Sequence, residues 1–473
     1  MQKIITKLSV TAIAVLMAAP FAFAQETVTV SSLTPPVAPQ SASLQKMEDV
    51  LRYTYENNPS LRAARSELRA VQEQLPQAQA GWKPSANATA GMKAADFEGN
   101  LAGEDGTTNT ELGIDLTQPL YRGGRTVAST ASARNIIMAQ RSFLNSTEQT
   151  VLMRAAAVYM DVSRDRALVE LRQNNYDVIK KQLDASQNRF EVGEATRTDV
   201  SQSEARLARA EADRISAVGN LQVSEAAFEA VTGLKPERVG IPVLNFPIPT
   251  SEDDILEVAD VNNPDIQAAT YLHKASEKDV RTIWGELLPN VALSGGLTKD
   301  YDPQPGGLDD SRVASIGVVA SIPLYEAGAT RSRVRQAKET VNQRYLEVLD
   351  ARRRVRAEAV THWENLQSAR SEIKARTSQA EAARIAMEGV KQEADLGTRT
   401  VLDALDADQE YLDAQTALIT ARRNEVIATF TLAASLGFLT PKTLGFPELE
   451  TDYDKHLKDI QGKILGMDVE SVK

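Results

Sequence analysis

Two aspartates three residues apart, Asp403 and Asp406, stand in the stretch GTRTVLDALDADQEYL that runs from Gly397 to Leu412. Spacing of three puts both carboxylates on one face of a helix. Neighbouring carboxylates raise one another's proton affinity and attract cations. Such a face is either an ordinary solvated helix surface or the lining of a conduit's mouth. A fainter copy, VGEATRTDVSQSEARL, occupies Val192 to Leu207. In both copies a glycine breaks a helical pattern, a Thr-Arg-Thr cluster follows, and an aspartate stands six residues after the glycine: Asp199 after Gly193 and Asp403 after Gly397.

No other stretch offers chemistry. His273, His362 and His456 lack metal-ligand spacing, and His362 falls on a valine seam, where packing explains it. Serines and aspartates form no nucleophile motif. Gly295-Gly296 and Gly306-Gly307 lie in strand and loop patterns, not ahead of a phosphate-binding helix. The expectation is a protein that is not an enzyme, with no catalytic residue, metal or cofactor. A formal net charge of −11 argues against a nucleic-acid partner. The chain has no cysteine, so packing alone must hold it together.

The elements that position the acidic face follow from the pattern along the chain. Lys3, Lys7, the apolar run Leu8 to Met17 and Ala22-Phe23-Ala24 read as a signal peptide over 1–24. Pro35, Pro36 and Pro39 among serines and threonines make 25–43 a flexible leader. Two repeats then follow at an offset of 204 or 205 residues. Asn58-Pro59 matches Asn263-Pro264, Pro119-Leu120-Tyr121 matches Pro323-Leu324-Tyr325, Gly193 matches Gly397 and Gly233 matches Gly437. The first repeat covers 44–235, a Pro-rich linker 236–250, the second repeat 251–440, and a polar, weakly patterned tail 441–473.

Each repeat combines two periods. Apolar residues alternate with polar ones over about 85–95 and 108–118, and again over about 290–299 and 312–322, which predicts two strands per repeat. Val162, Val169, Tyr176, Leu183 and Phe190 recur every seven residues, as do Val334, Val341, Val348 and Val355. These seams predict long helices over about 125–192 and 330–395, each roughly 100 Å long. The return helices are about half that length. The earlier helix, read as one piece from Ser60 to Ala80, stacks on the short return helix to cover the remainder. Each repeat is thus a rod with a strand hairpin at one end and a glycine turn at the other.

Strands of about ten residues with alternating polarity suit a transmembrane barrel, although a soluble sheet with one wet face carries the same pattern. Four strands cannot close a barrel in lipid, where open edges are forbidden. Two chains would give eight strands, and three would give twelve with room for a lumen. At this point GTRTVLDALDA, the duplicated hairpin-and-rod plan and the Pro-Leu-Tyr corner resemble the TolC-type outer-membrane efflux proteins, over about Leu44 to Leu439.

The resemblance implies a mainly α fold with a membrane β-barrel: a homotrimer in which each chain gives four strands to a shared twelve-stranded barrel and long coiled-coil helices to a periplasmic tunnel. It implies an exit duct for type I protein secretion or multidrug efflux, in the cell outer membrane and in contact with its lipid. Its partners are a periplasmic adaptor and an inner-membrane ABC or proton-driven transporter. It makes Asp403 and Asp406 a selectivity ring, Arg399, Thr198 and Asp199 the latch of the closed gate, and Val192, Gly193, Leu396 and Gly397 the tips that receive the adaptor. One departure stands out: Ala394 replaces a tyrosine common in the family three residues before the tip glycine, which removes one latch link. The rival reading is a soluble periplasmic coiled-coil adaptor or structural rod.

Overall fold

The computed structural model describes residues 46–95, 107–237, 239–240, 242, 246–301, 310–449 and 453–461. The signal peptide, the leader, the loops 96–106 and 302–309 and the end of the tail fall outside them. The described chain is mainly helical, with four strands. In order it runs α1 Met47–Asn57, α2 Pro59–Gln72, α3 Gln74–Gln79, β1 Ser85–Ala95, β2 Thr107–Arg122, α4 Arg125–Glu191 and α5 Arg197–Thr232. The second repeat gives α6 Glu252–Asn262, α7 Pro264–Trp284, β3 Asn290–Tyr301, β4 Asp310–Ser321, α8 Ala329–Asp395 and α9 Val401–Ser435, and the tail adds α10 Tyr453–Gln461. One expectation changes: the helix read as continuous from Ser60 to Ala80 is split at Glu73. Restarting the helix there puts Pro76 in a first turn, where its missing N–H costs no hydrogen bond.

Helices α4 and α8 are 67 residues each. No proline interrupts either one, and both start after a glycine in the left-handed region, Gly124 at φ 73° and Gly328 at φ 81°. Helix α4 packs against α5 and α7, and α8 packs against α9 and α7. The seam of α8 is buried at Val334, Val348 and Val355, which share one core position of a coiled-coil heptad.

The short helices join the return helices end to end through a repeated asparagine. The Asn58 Oδ1 accepts from the Ser60 and Leu61 N–H groups, and its Nδ2 donates to the Val231 carbonyl in the last turn of α5 at 2.9 Å. Asn263 does the same with Asp265, Ile266 and the Ser435 carbonyl of α9. One side chain caps the start of one helix and the end of another, with Pro59 or Pro264 at the first helical position. Asn58→Ala or Asn263→Ala is expected to cost about 1–2 kcal/mol. Asn58→Asp, which keeps the acceptor and loses the donor, is expected to fall between wild type and alanine. Thermal melting of the detergent-solubilised protein reads both.

All four strands form one antiparallel sheet in the order β1-β2-β3-β4, so the two repeats meet directly at β2 and β3. The register sorts the side chains. Ala88, Ile114, Leu297 and Ala314 form one cross-strand row, and Ala86, Leu116, Gly295 and Ile316 the next. Rows of Asn87, Asp115, Gly296 and Ser315 alternate with them, so one face is apolar and the other polar. The apolar face is uncovered among the described residues: Ile114, Leu116, Ile316 and Val318 are all exposed. Strands β1 and β4 are the free edges.

The main core lies where the short and long helices meet. Leu51, Tyr55, Leu61, Leu152, Tyr159, Phe228 and Phe430 are buried in one cluster, and Phe246 of the linker meets Phe430 edge-on at 5.1 Å. The tail is part of this region. Phe446 is buried there, and Tyr453 and Leu457 of α10 pack on Leu68, Leu75 and Leu144.

Candidate functional site

The two glycine turns repeat one local design. After α4, Gly193 at φ 81° lets its N–H reach the Phe190 carbonyl and the Glu194 N–H reach the Arg189 carbonyl. After α8, Gly397 at φ 76° does the same with Ala394, and Thr398 with Glu393. This pattern satisfies the last carbonyls of a helix and needs a residue at positive φ. A methyl group at either glycine would meet no atom within 4 Å, so backbone conformation alone demands glycine. The return helices then open with reciprocal caps. Thr196 Oγ1 accepts from the Asp199 N–H while Asp199 Oδ2 accepts from the Thr196 N–H and hydroxyl. Thr400 and Asp403 repeat the arrangement.

The structure therefore equates Asp199 with Asp403 but not the two Thr-Arg-Thr clusters. In the first turn the capping threonine is the first of its cluster, and in the second it is the last. Arg197 consequently opens helix α5, whereas Arg399 stands in the turn itself, where its Nε donates to Glu393 Oε2 at 3.0 Å. Thr198, on the first turn of α5, and Asp199 make no contact with Arg399 among the described residues.

The acidic pair divides its partners. The Thr400 hydroxyl and N–H hold the Asp403 carboxyl below its ordinary 3.8, with a smaller contribution from the Arg399 charge. Asp199 is held low by Thr196 in the same way. Asp406, three residues on, receives the Arg206 guanidinium of α5 at 2.5 Å. Two further ionic groups were not signalled by the sequence. Lys391 of α8 reaches the buried Asp408 at 2.6 Å, and Glu393 holds Arg399. Periodicity marks helix faces, and it cannot pair residues some 200 positions apart such as Arg206 and Asp406. The tips themselves end in apolar side chains facing water, Val192 at 71% and Leu396 at 81% exposure.

Depressed carboxyl values fix the sign of an acid response. Asp199 and Asp403 contribute stability that is present above their unfolded value near 3.8 and is lost as pH falls through their lower folded values. Both turns are therefore expected to loosen together below that pH, ahead of the helices that build the main core. Amide exchange of peptides covering 192–201 and 396–405, measured against pH, checks this. Thr196→Ala with Thr400→Ala should remove the acid step.

No group of three or more metal-binding side chains occurs among the described residues. His362 is half-buried, and burial pushes its imidazole below its ordinary value. No described helix is long and apolar enough to cross a membrane; the sheet carries a continuous apolar face that is exposed.

Comparison with known proteins agrees with this geometry. The family described as "Outer membrane efflux protein" matches residues 50–234 and 255–438, one match to each repeat. The outer membrane efflux protein BepC of Brucella suis biovar 1 is 30% identical over 428 residues, 90% of this chain and 93% of that one. The outer membrane protein TolC of Vibrio cholerae is 24% identical over 409 residues, covering 84% and 91%. Among solved structures, the outer-membrane channel OprN superposes with a TM-score of 0.73 at 21% identity, over 83% of this chain and 89% of its own. Both repeats are matched, and BepC is aligned nearly end to end. The chain thus belongs to the outer membrane efflux protein family, the outer-membrane channels through which cells expel material.

Proposed function

We propose that three copies of this chain close a twelve-stranded barrel in the outer membrane and continue as a helical tunnel through the periplasm, closed at the glycine turns until a transporter engages. The observation that carries this reading is the four-stranded sheet, with one apolar face uncovered and both edges open. A lone sheet of this kind is unstable in lipid, because its edge N–H and C=O groups have no partner there. Three sheets joined edge to edge satisfy every edge and leave a lumen. Asp403 and Asp406 then supply six carboxylates around the constriction and bias it toward cations.

Arg399, presented on the exposed second turn, latches onto Thr198 and Asp199 of the adjoining hairpin in the closed state. Ala394 contributes no polar link, so the latch rests on Arg399. Val192, Gly193, Leu396 and Gly397 form the surface that receives a periplasmic adaptor, which couples the duct to an inner-membrane ABC or proton-driven transporter. The bare apolar tips suit a partner that covers them. AprF, an alkaline protease secretion protein of Pseudomonas aeruginosa, is 22% identical over 333 residues, and TtgC, a probable efflux pump component of Pseudomonas putida, 23% over 424. The cargo is accordingly protein or drug.

Purification from outer membranes followed by planar-bilayer recording tests the reading. A trimer with a small, cation-preferring resting conductance is expected, and Arg399→Ser should enlarge it. A water-soluble monomer that conducts nothing would return the protein to the class of periplasmic rods.

A further inference from the structure

Several charges at the turns are engaged within their own hairpin. Asp199 and Asp403 cap helices, Glu393 holds Arg399 and Lys391 holds Asp408. The Arg206–Asp406 pair differs from these in reaching from α5 of the first repeat to α9 of the second. The repeat offset gives it a history. The position equivalent to Asp406, 204 residues earlier, is the uncharged Gln202, and the position equivalent to Arg206 is Glu410. The additional carboxylate appears on one hairpin and its counter-charge on the other.

The pair is held from beneath. Ile179, Ala210 and Leu405 are buried together, with Tyr176, Leu207 and Val401 packed around them. This contact between α4, α5 and α9 fixes the separation of the helices that carry the two side chains. The exposures are unequal. The Asp406 side chain is 59% accessible and the Arg206 side chain 27%, so the carboxylate faces water while the guanidinium backs it from the helix side. Arg209 and Asp213, a base and an acid, border the same small cleft, so Arg206 is the cation that faces Asp406 directly.

We propose that Arg206 is a specificity-determining residue of the duct: it neutralises Asp406 at rest, so that the constriction shows ions three free carboxylates instead of six. This rests on the reading of Asp403 and Asp406 as the constriction. Asp403 is compensated less, because its hydrogen-bond partners are a neutral hydroxyl and an N–H group, and Arg399, whose charge also acts on it, is paired with Glu393. The charge of Asp406 is uncompensated only when α5 and α9 part. The number of effective charges at the gate thus depends on how the two hairpins are spaced.

Reversal potentials of the purified trimer across a KCl gradient, in planar bilayers of neutral lipid, test this. Arg206→Gln is expected to raise the ratio of potassium to chloride permeability about twofold or more, the effect of freeing a charge within about 10 Å of a water-filled path. Arg206→Lys should leave the ratio near wild type, and adding Asp406→Asn to Arg206→Gln should cancel the gain. An unchanged ratio in Arg206→Gln, with Asp403→Asn and Asp406→Asn each lowering it, overturns the role of Arg206 and keeps the ring. A gain that persists in the double variant also overturns it, since the arginine would then act on some other group. A ratio unmoved by all the variants removes the ring and this inference together.

Discussion

Gly123→Ala is expected to abolish most of the assembled protein in the outer membrane, while Gly124→Ala, one residue on, leaves a weakened but assembled one. Both glycines have positive φ, 60° and 73°, where a side chain costs about 1–2 kcal/mol. They differ in what surrounds them. A methyl group on Gly123 would lie 2.2 Å from the Gly285 carbonyl oxygen and 2.8 Å from Leu288 Cβ, whereas one on Gly124 meets nothing within 4 Å. Here the exit from β2 in the first repeat crosses the entry to β3 in the second, backbone against backbone. Separating the two backbones adds an overpacking cost of about 1–3 kcal/mol per site, applied where the sheet joins the helices. Gly285→Ala separates the two effects. Its φ of −62° suits any residue, yet its methyl group would stand 2.5 Å from the Gly123 carbonyl. It should therefore show the crowding without the backbone strain. Membrane-fraction yield and melting temperature rank the three variants as Gly123, then Gly285, then Gly124 in severity.

Removing Glu148 is the second large perturbation. This carboxylate is 6% exposed in α4, and its Oε1 accepts from the Tyr55 hydroxyl at 2.9 Å and the Tyr453 hydroxyl at 3.2 Å. The Arg65 guanidinium lies 3.6 Å from the same oxygen and 4.4 Å over the Tyr55 ring. One acid thus gathers α1, α2, α4 and α10. Glu148→Ala strands a largely buried guanidinium and two hydroxyls, which is expected to cost about 3–5 kcal/mol. Glu148→Gln keeps an acceptor and should cost much less.

The pH dependence separates the two variants from wild type. Burial raises the Glu148 carboxyl above its ordinary 4.5, despite the opposing Tyr55 hydrogen bond and Arg65 charge, and the Tyr55 hydroxyl is pushed up to about 12 by burial and by Glu148. A carboxyl raised on folding stabilises the fold fully below its unfolded value, and that contribution is lost as pH rises through the folded value. The melting-temperature advantage of wild type over Glu148→Gln should therefore shrink as pH climbs above about 4.5. A difference independent of pH would mean that Glu148 is not the group titrating.

What the sequence discloses here is whatever repeats locally. Alternation marks the strands because Ala86, Ala88 and Ala90 point one way and Asn87 and Thr89 the other. Asn58-Pro59 and Asn263-Pro264 mark helix starts because proline fits a first turn. The second job of each asparagine, closing the end of α5 or α9, was hidden, because its partners Val231 and Ser435 lie more than 170 residues away. The tail shows the same limit. Its polar residues lack a period, yet Tyr453 is needed by Glu148, and Arg141 of α4 pairs with Asp454. At the turns, the two Thr-Arg-Thr clusters are shifted by two positions against the repeat offset that matches Gly193 to Gly397. Cap geometry shows the consequence: Arg197 starts a helix and Arg399 stands outside one.

The two free strands carry a consequence for biogenesis. β1 and β4 are different surfaces, and in the proposed barrel protomers that share one orientation would join by setting β4 of one against β1 of the next. Such a joint is head-to-tail, so a pair of chains still ends in one open β1 and one open β4, and only ring closure removes both. No partly built species is then soluble in lipid. In the proposed trimer, insertion and oligomerisation are then a single event, whose rate is expected to rise steeply with the concentration of waiting chains.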